Sequence, residues 1–351
     1  MYAFENEMSF AMLPDKYFRP HILSLEPYST ARHEYNGPAA IWLDANENPY
    51  KSGLNRYPDP KQSELRKAIS QLRQINADQV FTGSGSDEII DLLIRLFCEP
   101  HKDKVLVLPP TYGMYAVAAA VHNVAVEEIM LTADFQPDVE KVLKSDAKLL
   151  FLCSPNNPTG NVMDSKDIEL ILRGFDGIVA VDEAYIDFSP ESSVLKHLDT
   201  YPNLVVMQTF SKAYGLAAAR VGMAFAHRSI IAALDRIKLP YNLGDLSARA
   251  AINALRKRKH VEQQVQTIVR NRENLSKKLQ QLACVEKVFP SDANFLLVRF
   301  VEHKKIFAHL IAKGIIVRDR SHQAALSGCL RLTVGTKADN ERLIEALKTL
   351  N

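Results

Sequence analysis

The chain has almost no net charge. Lys and Arg number 43 and Asp and Glu 41, leaving +2 over 351 residues. No long run of like charge appears, so no strong field draws nucleic acid or an anionic membrane. The short basic cluster at 256–260 reads as a solvated helix face. Cysteines are few: Cys98, Cys153, Cys284 and Cys329. None has CxxC spacing and no Cys/His cluster suggests zinc, so no metal is expected. Scattered cysteines without a secretory signal imply free thiols and a cytoplasmic location. The first twenty residues are broken by charges and prolines, which excludes a signal peptide or a membrane span there. No internal repeat or low-complexity stretch occurs.

What is present is an ordinary globular composition, 47% hydrophobic and 24% charged. The length exceeds what one core usually supports, so two lobes are expected. Helical spacing marks 63–75, opened by Ser63, and 85–100, opened by Ser86 and stopped by Pro100. Short apolar runs follow at 104–110, 147–155, 177–185 and 203–212. Continuous apolar runs alternating with helices indicate an α/β fold, a mostly parallel sheet covered on both faces. From 228 to 283 the pattern is helical. Runs at 293–300, 314–320 and 329–335 and a last helix at 338–350 then form an α+β tail. The expected division is an N-terminal segment, 1–40, belonging to the small lobe and covering substrate; a large domain, 41–250; and a small domain, 251–351.

In such sheets the ligand site forms beyond the carboxyl ends of the strands. The polar residues there are distinctive. SPNNPTG (154–160) brings Asn157 into a proline-bounded turn. VDEAY (181–185) carries Asp182 and Tyr185. TFSKAYG (209–215) carries Lys212, a lysine without charged neighbours. TGSGSDE (82–88) leads glycines and hydroxyls into a helix, an arrangement that binds anions. Each element alone has an ordinary reading as turn, salt bridge or surface lysine. Together they suit a phosphorylated aromatic aldehyde, pyridoxal phosphate. The lysine supplies the Schiff-base amine. The carboxylate keeps the pyridine nitrogen protonated. Amide and phenol meet the ring hydroxyl, and an arginine fork with the glycine turn holds phosphate. Tyr112, in PTYGMY (110–115), can stack on the ring.

These motifs carry a resemblance. LDANENPY (43–50), NRYPDP (55–60), CSPNNPTGN (153–161), VDEAYIDF (181–188), SKAYGLAAARVG (211–222), IIVRDR (315–320) and GCLRLTVGT (328–336) occur in order along nearly the whole chain. The chain resembles the fold-type I pyridoxal-phosphate aminotransferases and, among them, the histidinol-phosphate aminotransferases. The resemblance implies Lys212 as Schiff-base lysine and proton carrier, and Asp182 as partner of the pyridinium nitrogen. It implies Asn157 and Tyr185 at the ring hydroxyl, and Ser84, Gly85, Ser86, Ser211, Arg220 and Thr209 around the phosphate. Tyr57 resembles the tyrosine that reaches the neighbour's cofactor phosphate, which implies a homodimer with shared sites. Arg318 and Arg331 resemble the substrate-anion binders, and Tyr28 and Asn46 lie in the segment that closes over substrate. One departure is Ser84, where the family often has asparagine.

The implied reaction passes the amino group of L-histidinol phosphate to 2-oxoglutarate. Both partners are dianions, and guanidinium forks pair with phosphate or carboxylate alike. Three alternatives share these motifs in whole or part: an aromatic amino-acid aminotransferase, a threonine-phosphate decarboxylase-type lyase, and a cofactor-binding regulator without turnover.

Overall fold

The apolar runs become the centre of one sheet. Its strands are β1 (Val80–Gly83), β2 (Lys104–Val107), β3 (Ala125–Glu128), β4 (Leu149–Cys153), β5 (Ile178–Asp182), β6 (Leu204–Thr209) and β7 (Gly222–Ala226). They lie in the order β1-β7-β6-β5-β4-β2-β3. β2 to β6 run parallel, and β7 alone is antiparallel to both of its neighbours. This computed structural model describes residues 13, 15–26, 35, 41–191 and 193–350.

Period-two alternation splits the buried side chains between the sheet's two faces. Val105, Phe151, Ala180 and Met207 pack on one face, under the helix Gly85–Phe97. Leu106, Leu152, Val181 and Val206 pack on the other, under the helix Ser165–Gly174. Both faces are covered, which is why these strands read as unbroken apolar runs.

A smaller antiparallel sheet follows, made of β8 (Val285–Val288), β9 (Phe295–Phe300), β10 (Arg318–Asp319) and β11 (Cys329–Thr333), ordered β10-β11-β9-β8. The long helix Arg258–Leu279 and the helices His303–Ala312 and Lys337–Lys348 bury Leu275, Leu310 and Leu347 against it. A separate cluster joins the two sheets: Tyr185, Phe188 and Ala213 pack with Ala293 and Phe295. This contact brings the second sheet to the strand ends of the first.

Several local expectations shift. The helix expected at 63–75 is Ser63–Arg73, with Gln62 rather than Ser63 at its cap. Asp59 explains this: its carboxylate accepts the Ser63 N–H at 2.7 Å, so the serine hydroxyl is not needed. The next helix begins at Gly85, one residue before Ser86, with Ser84 at the cap. There the Glu88 carboxylate folds back onto the Ser84 N–H. The expectation that the N-terminal segment joins the small lobe does not hold for its described part. Leu13, Phe18 and Ile22 pack into the core of the large sheet, and Arg19 pairs with Glu99 at 2.9 Å. Tyr28 lies outside the described residues.

Candidate active site

The carboxyl ends of β4, β5 and β6 open into one cavity of about 380 Å³. Asp182 ends β5 and is 3% exposed. Its Oδ2 accepts from the Tyr115 hydroxyl at 2.7 Å and its Oδ1 from the Ala184 N–H at 3.1 Å. Burial lifts its carboxyl above the ordinary value, against the pull of these two donors. A buried carboxylate of this kind calls for a cation.

Lys212 opens onto the same cavity, with Nζ 5.4 Å from the centre of the Tyr185 ring. The surrounding protein still strips much of its solvation. That desolvation, together with Arg331, lowers its ammonium pKa, while Asp182 and Asp87 oppose the shift. Tyr185 is held edge-on by Phe295, ring centres 5.1 Å apart, and burial raises its phenol pKa. Tyr112 lines the cavity and donates to Asp87 at 3.2 Å.

The turn after β4 owes its shape to Asn156. Its side chain donates to Pro110 O at 2.8 Å and to Thr159 at 2.7 Å, and accepts from Thr111 at 3.0 Å. This fully buried amide ties two strand-end turns together and leaves its neighbour Asn157 to face the cavity. Arg331 donates to Asn157 Oδ1, and the remaining Asn157 amide is free to donate.

β6 and β7 enclose the loop 210–221, closed where the Phe210 N–H bonds Val221 O at 3.0 Å. Ser211 and Lys212 stand at its start and Arg220 at its end. Arg220 sits in the left-handed region, φ 51°, and reaches Asp87 at 3.0 Å across the start of the helix Gly85–Phe97. Contact here is tight. A Cβ on Gly222 meets Ser86 N at 2.5 Å and Gly85 O at 2.7 Å, and one on Gly85 meets the Arg220 guanidinium. Only glycine lets these backbones and that guanidinium converge. Thr209 spends its hydroxyl on Val221 O and the Ser211 N–H.

Thus Ser86, Tyr112, Asn157, Asp182, Tyr185, Thr209, Ser211, Lys212, Arg220, Arg318 and Arg331 all line one cavity. Ser84 and Gly85 form the turn beside it. Asn46 and Tyr57 do not meet Lys212 within this chain; they line another cavity of about 590 Å³ with Gly244 and Leu246. Tyr57 is half-exposed and stacks on Tyr241, ring centres 4.5 Å apart. Four further residues escape sequence reasoning: Asp87, Tyr115, Cys153 and Arg320. Tyr115 and Arg320 lay inside motifs already singled out, PTYGMY and IIVRDR.

The family model described as aminotransferase class I and II matches residues 27–347. The chain belongs to the class I and II aminotransferases. A Cytophaga hutchinsonii histidinol-phosphate aminotransferase is 47% identical over 349 residues, 97% of this chain and 100% of that one. Among solved structures, the Clostridium acetobutylicum histidinol-phosphate aminotransferase matches with TM-score 0.79 and 25% identity, covering 85% of this chain and 91% of that one. The Sinorhizobium meliloti histidinol-phosphate aminotransferase, solved in complex with pyridoxal-5′-phosphate, shares the fold at TM-score 0.78 and 23% identity, covering 85% and 84% of the two chains. For a class I and II aminotransferase, the residues present fit the family's cofactor: a buried acid with no ion pair among the described residues, an amine of lowered pKa, and a glycine-walled helix start with an arginine across it. Among the described residues, no helix is long and apolar enough to cross a membrane.

Proposed function

We propose that the chain moves the amino group of L-histidinol phosphate to 2-oxoglutarate in histidine biosynthesis, using pyridoxal phosphate. The observation that carries this reading is electrostatic. Arg318 and Arg331 line the cavity that Lys212 and Asp182 share, and neither is paired to a carboxylate among the described residues. Such a site asks for a substrate with a strong anion on one end and an amine on the other. The 47% identity to a histidinol-phosphate aminotransferase over its whole length supports that donor.

When bound, pyridoxal phosphate supplies an aldehyde for the amine and a protonated ring that takes up an electron pair. Lys212 is the amine that holds it. Once released, Lys212 Nζ takes the proton from the substrate's Cα. Its lowered pKa enlarges the neutral fraction that can do so. Asp182 is the partner of the ring nitrogen, Asn157 and Tyr185 of the ring hydroxyl. Tyr112 would stack on the ring. Gly85, Ser86, Ser211 and Arg220 hold the phosphate beside the Ser84 turn, and Thr209 braces Ser211.

The working unit is a homodimer in the cytoplasm. Tyr57 and Asn46 belong to the partner's site, which accounts for their distance from Lys212 here. Exposed apolar side chains near them, Leu43 at 90% and Leu246 at 65%, suit a second copy. Mixed dimers test this: a chain carrying Tyr57→Phe and a chain carrying Lys212→Ala regain activity together only if sites are shared.

The test of substrate is a single-turnover titration of the cofactor-loaded protein with L-histidinol phosphate, L-phenylalanine and L-glutamate, followed by absorbance. Conversion fastest with histidinol phosphate supports the reading. Faster conversion with phenylalanine makes the protein an aromatic amino-acid aminotransferase.

A further inference from the structure

β10 and β11 place two like charges face to face: Arg318 is in direct register with Arg331. Opposed like charges on neighbouring strands are destabilising. A third arginine follows two residues on. The Arg320 N–H bonds Cys329 O at 3.0 Å, which keeps the chain alongside β11 beyond the end of β10. A spacing of two returns its side chain to the face that Arg318 occupies. Arg320 accordingly lines the Lys212 cavity with the other two.

No carboxylate among the described residues forms an ion pair with any of the three. Arg331 has one arm committed to Asn157 Oδ1. Arg320 has no side-chain hydrogen bond among the described residues, and its Nε is buried without a partner. Burial, Arg331 and Arg318 push its guanidinium down to about 10, so it stays cationic at neutral pH. Three guanidiniums in a partly dry cavity, none ion-paired to a carboxylate among the described residues, are costly. An anionic ligand relieves that cost.

We propose that Arg320 is a third guanidinium of the substrate-anion site and serves a phosphate monoester dianion more than a carboxylate. This rests on the reading that the substrate anion binds between Arg318 and Arg331. A carboxylate offers two oxygens in one plane, which a single guanidinium fork satisfies. A phosphate dianion offers three oxygens in a pyramid and a second charge, and needs donors from more than one direction. With one arm of Arg331 already committed, Arg320 supplies the missing donors.

The experiment uses cofactor-loaded wild type, Arg320→Gln and Arg320→Lys. The kcat/KM of the half-reaction is measured with L-histidinol phosphate and with L-glutamate. The expected result is a fall of about thirtyfold in the histidinol-phosphate to glutamate ratio for Arg320→Gln, on the scale of a lost charge-assisted contact. Arg320→Lys, which keeps the charge but not the fork, recovers part of it. The second readout is inorganic phosphate as a competitive inhibitor of the glutamate half-reaction, with an inhibition constant raised about tenfold in Arg320→Gln. An unchanged ratio with unchanged phosphate inhibition overturns the proposal, and so does a ratio that rises. Wild type that prefers phenylalanine sinks the substrate reading instead, and phosphate inhibition then still tests Arg320.

Discussion

The Tyr115 hydroxyl donates to Asp182 Oδ2 at 2.7 Å, with both side chains buried and 67 residues apart in sequence. Tyr115 is stacked on Phe151 with ring centres 4.7 Å apart, so its hydroxyl is aimed by the core. Tyr115→Phe leaves Asp182 only the Ala184 N–H and raises its carboxyl pKa further. The expected outcome is a loss of about 1 kcal/mol of stability and a kcat about tenfold lower. The acid limb of the kcat–pH profile moves to higher pH. Urea melts and a pH–rate series check this, and an unmoved acid limb removes Tyr115 from any role beyond packing.

Asp182 is a cost to the protein freed of its cofactor. Burial raises its carboxyl, so ionising it within the fold opposes folding, whereas the unfolded group ionises near 3.8. The penalty is absent below that pH, grows as pH rises from there toward the folded value, and is complete above it. Asp182→Asn is therefore expected to melt higher than wild type at pH 8 but not at pH 4, both without cofactor. In the loaded enzyme the same change cuts turnover by about a thousandfold or more. A gap in melting temperature that does not depend on pH contradicts the electrostatic account.

Lys212→Ala removes the amine at the cavity mouth. The expected outcome is loss of the visible absorbance band of the loaded protein and turnover reduced at least about a thousandfold. A surviving band means that another amine holds the cofactor.

Gly222→Ala drives a methyl group into backbone on the facing turn, 2.5 Å from Ser86 N and 2.7 Å from Gly85 O. Neither atom can rotate away. The expected cost is about 2 kcal/mol in a urea melt, together with weaker cofactor retention on dialysis. Weakened stability with unaltered retention shows that the turn does not hold the phosphate.

Sequence reasoning found the strand ends because buried parallel strands are continuous apolar runs, and β4, β5 and β6 are buried at every position. β3 and β8 escaped because their residues, AVEE and VEKV, are half-exposed and lack a clean apolar period. β7 escaped because GMAFA reads as small filler between a loop and a helix. The lysine, aspartate, asparagine and Arg220 declare themselves by residue type and setting, whereas Arg318 and Arg331 came only with the family resemblance. Tyr115 does not, since its partner is remote in sequence and a buried tyrosine is ordinary. Arg320 left a signal in its spacing from Arg318, an alternate-residue pair that only strand geometry turns into a shared face. The described part of the N-terminal segment packs elsewhere than expected because helix and strand patterns say nothing of which core a short segment joins. Phe18 settles that by packing against Phe97, ring centres 5.4 Å apart.

The antiparallel return of β7 has a consequence for what the cavity accepts. Thr209 and Gly222 face each other in register, so the loop between them leaves and re-enters the sheet at one place. Lys212 and Arg220 are then the two jaws of a calliper carried by a single short piece of chain. On the proposed roles, a ligand is gripped at both ends only if its carbonyl carbon and its phosphate are spaced to match those jaws. A vitamer without phosphate engages one jaw and slips. The loop, more than the sheet beneath it, sets the length of molecule that this fold retains.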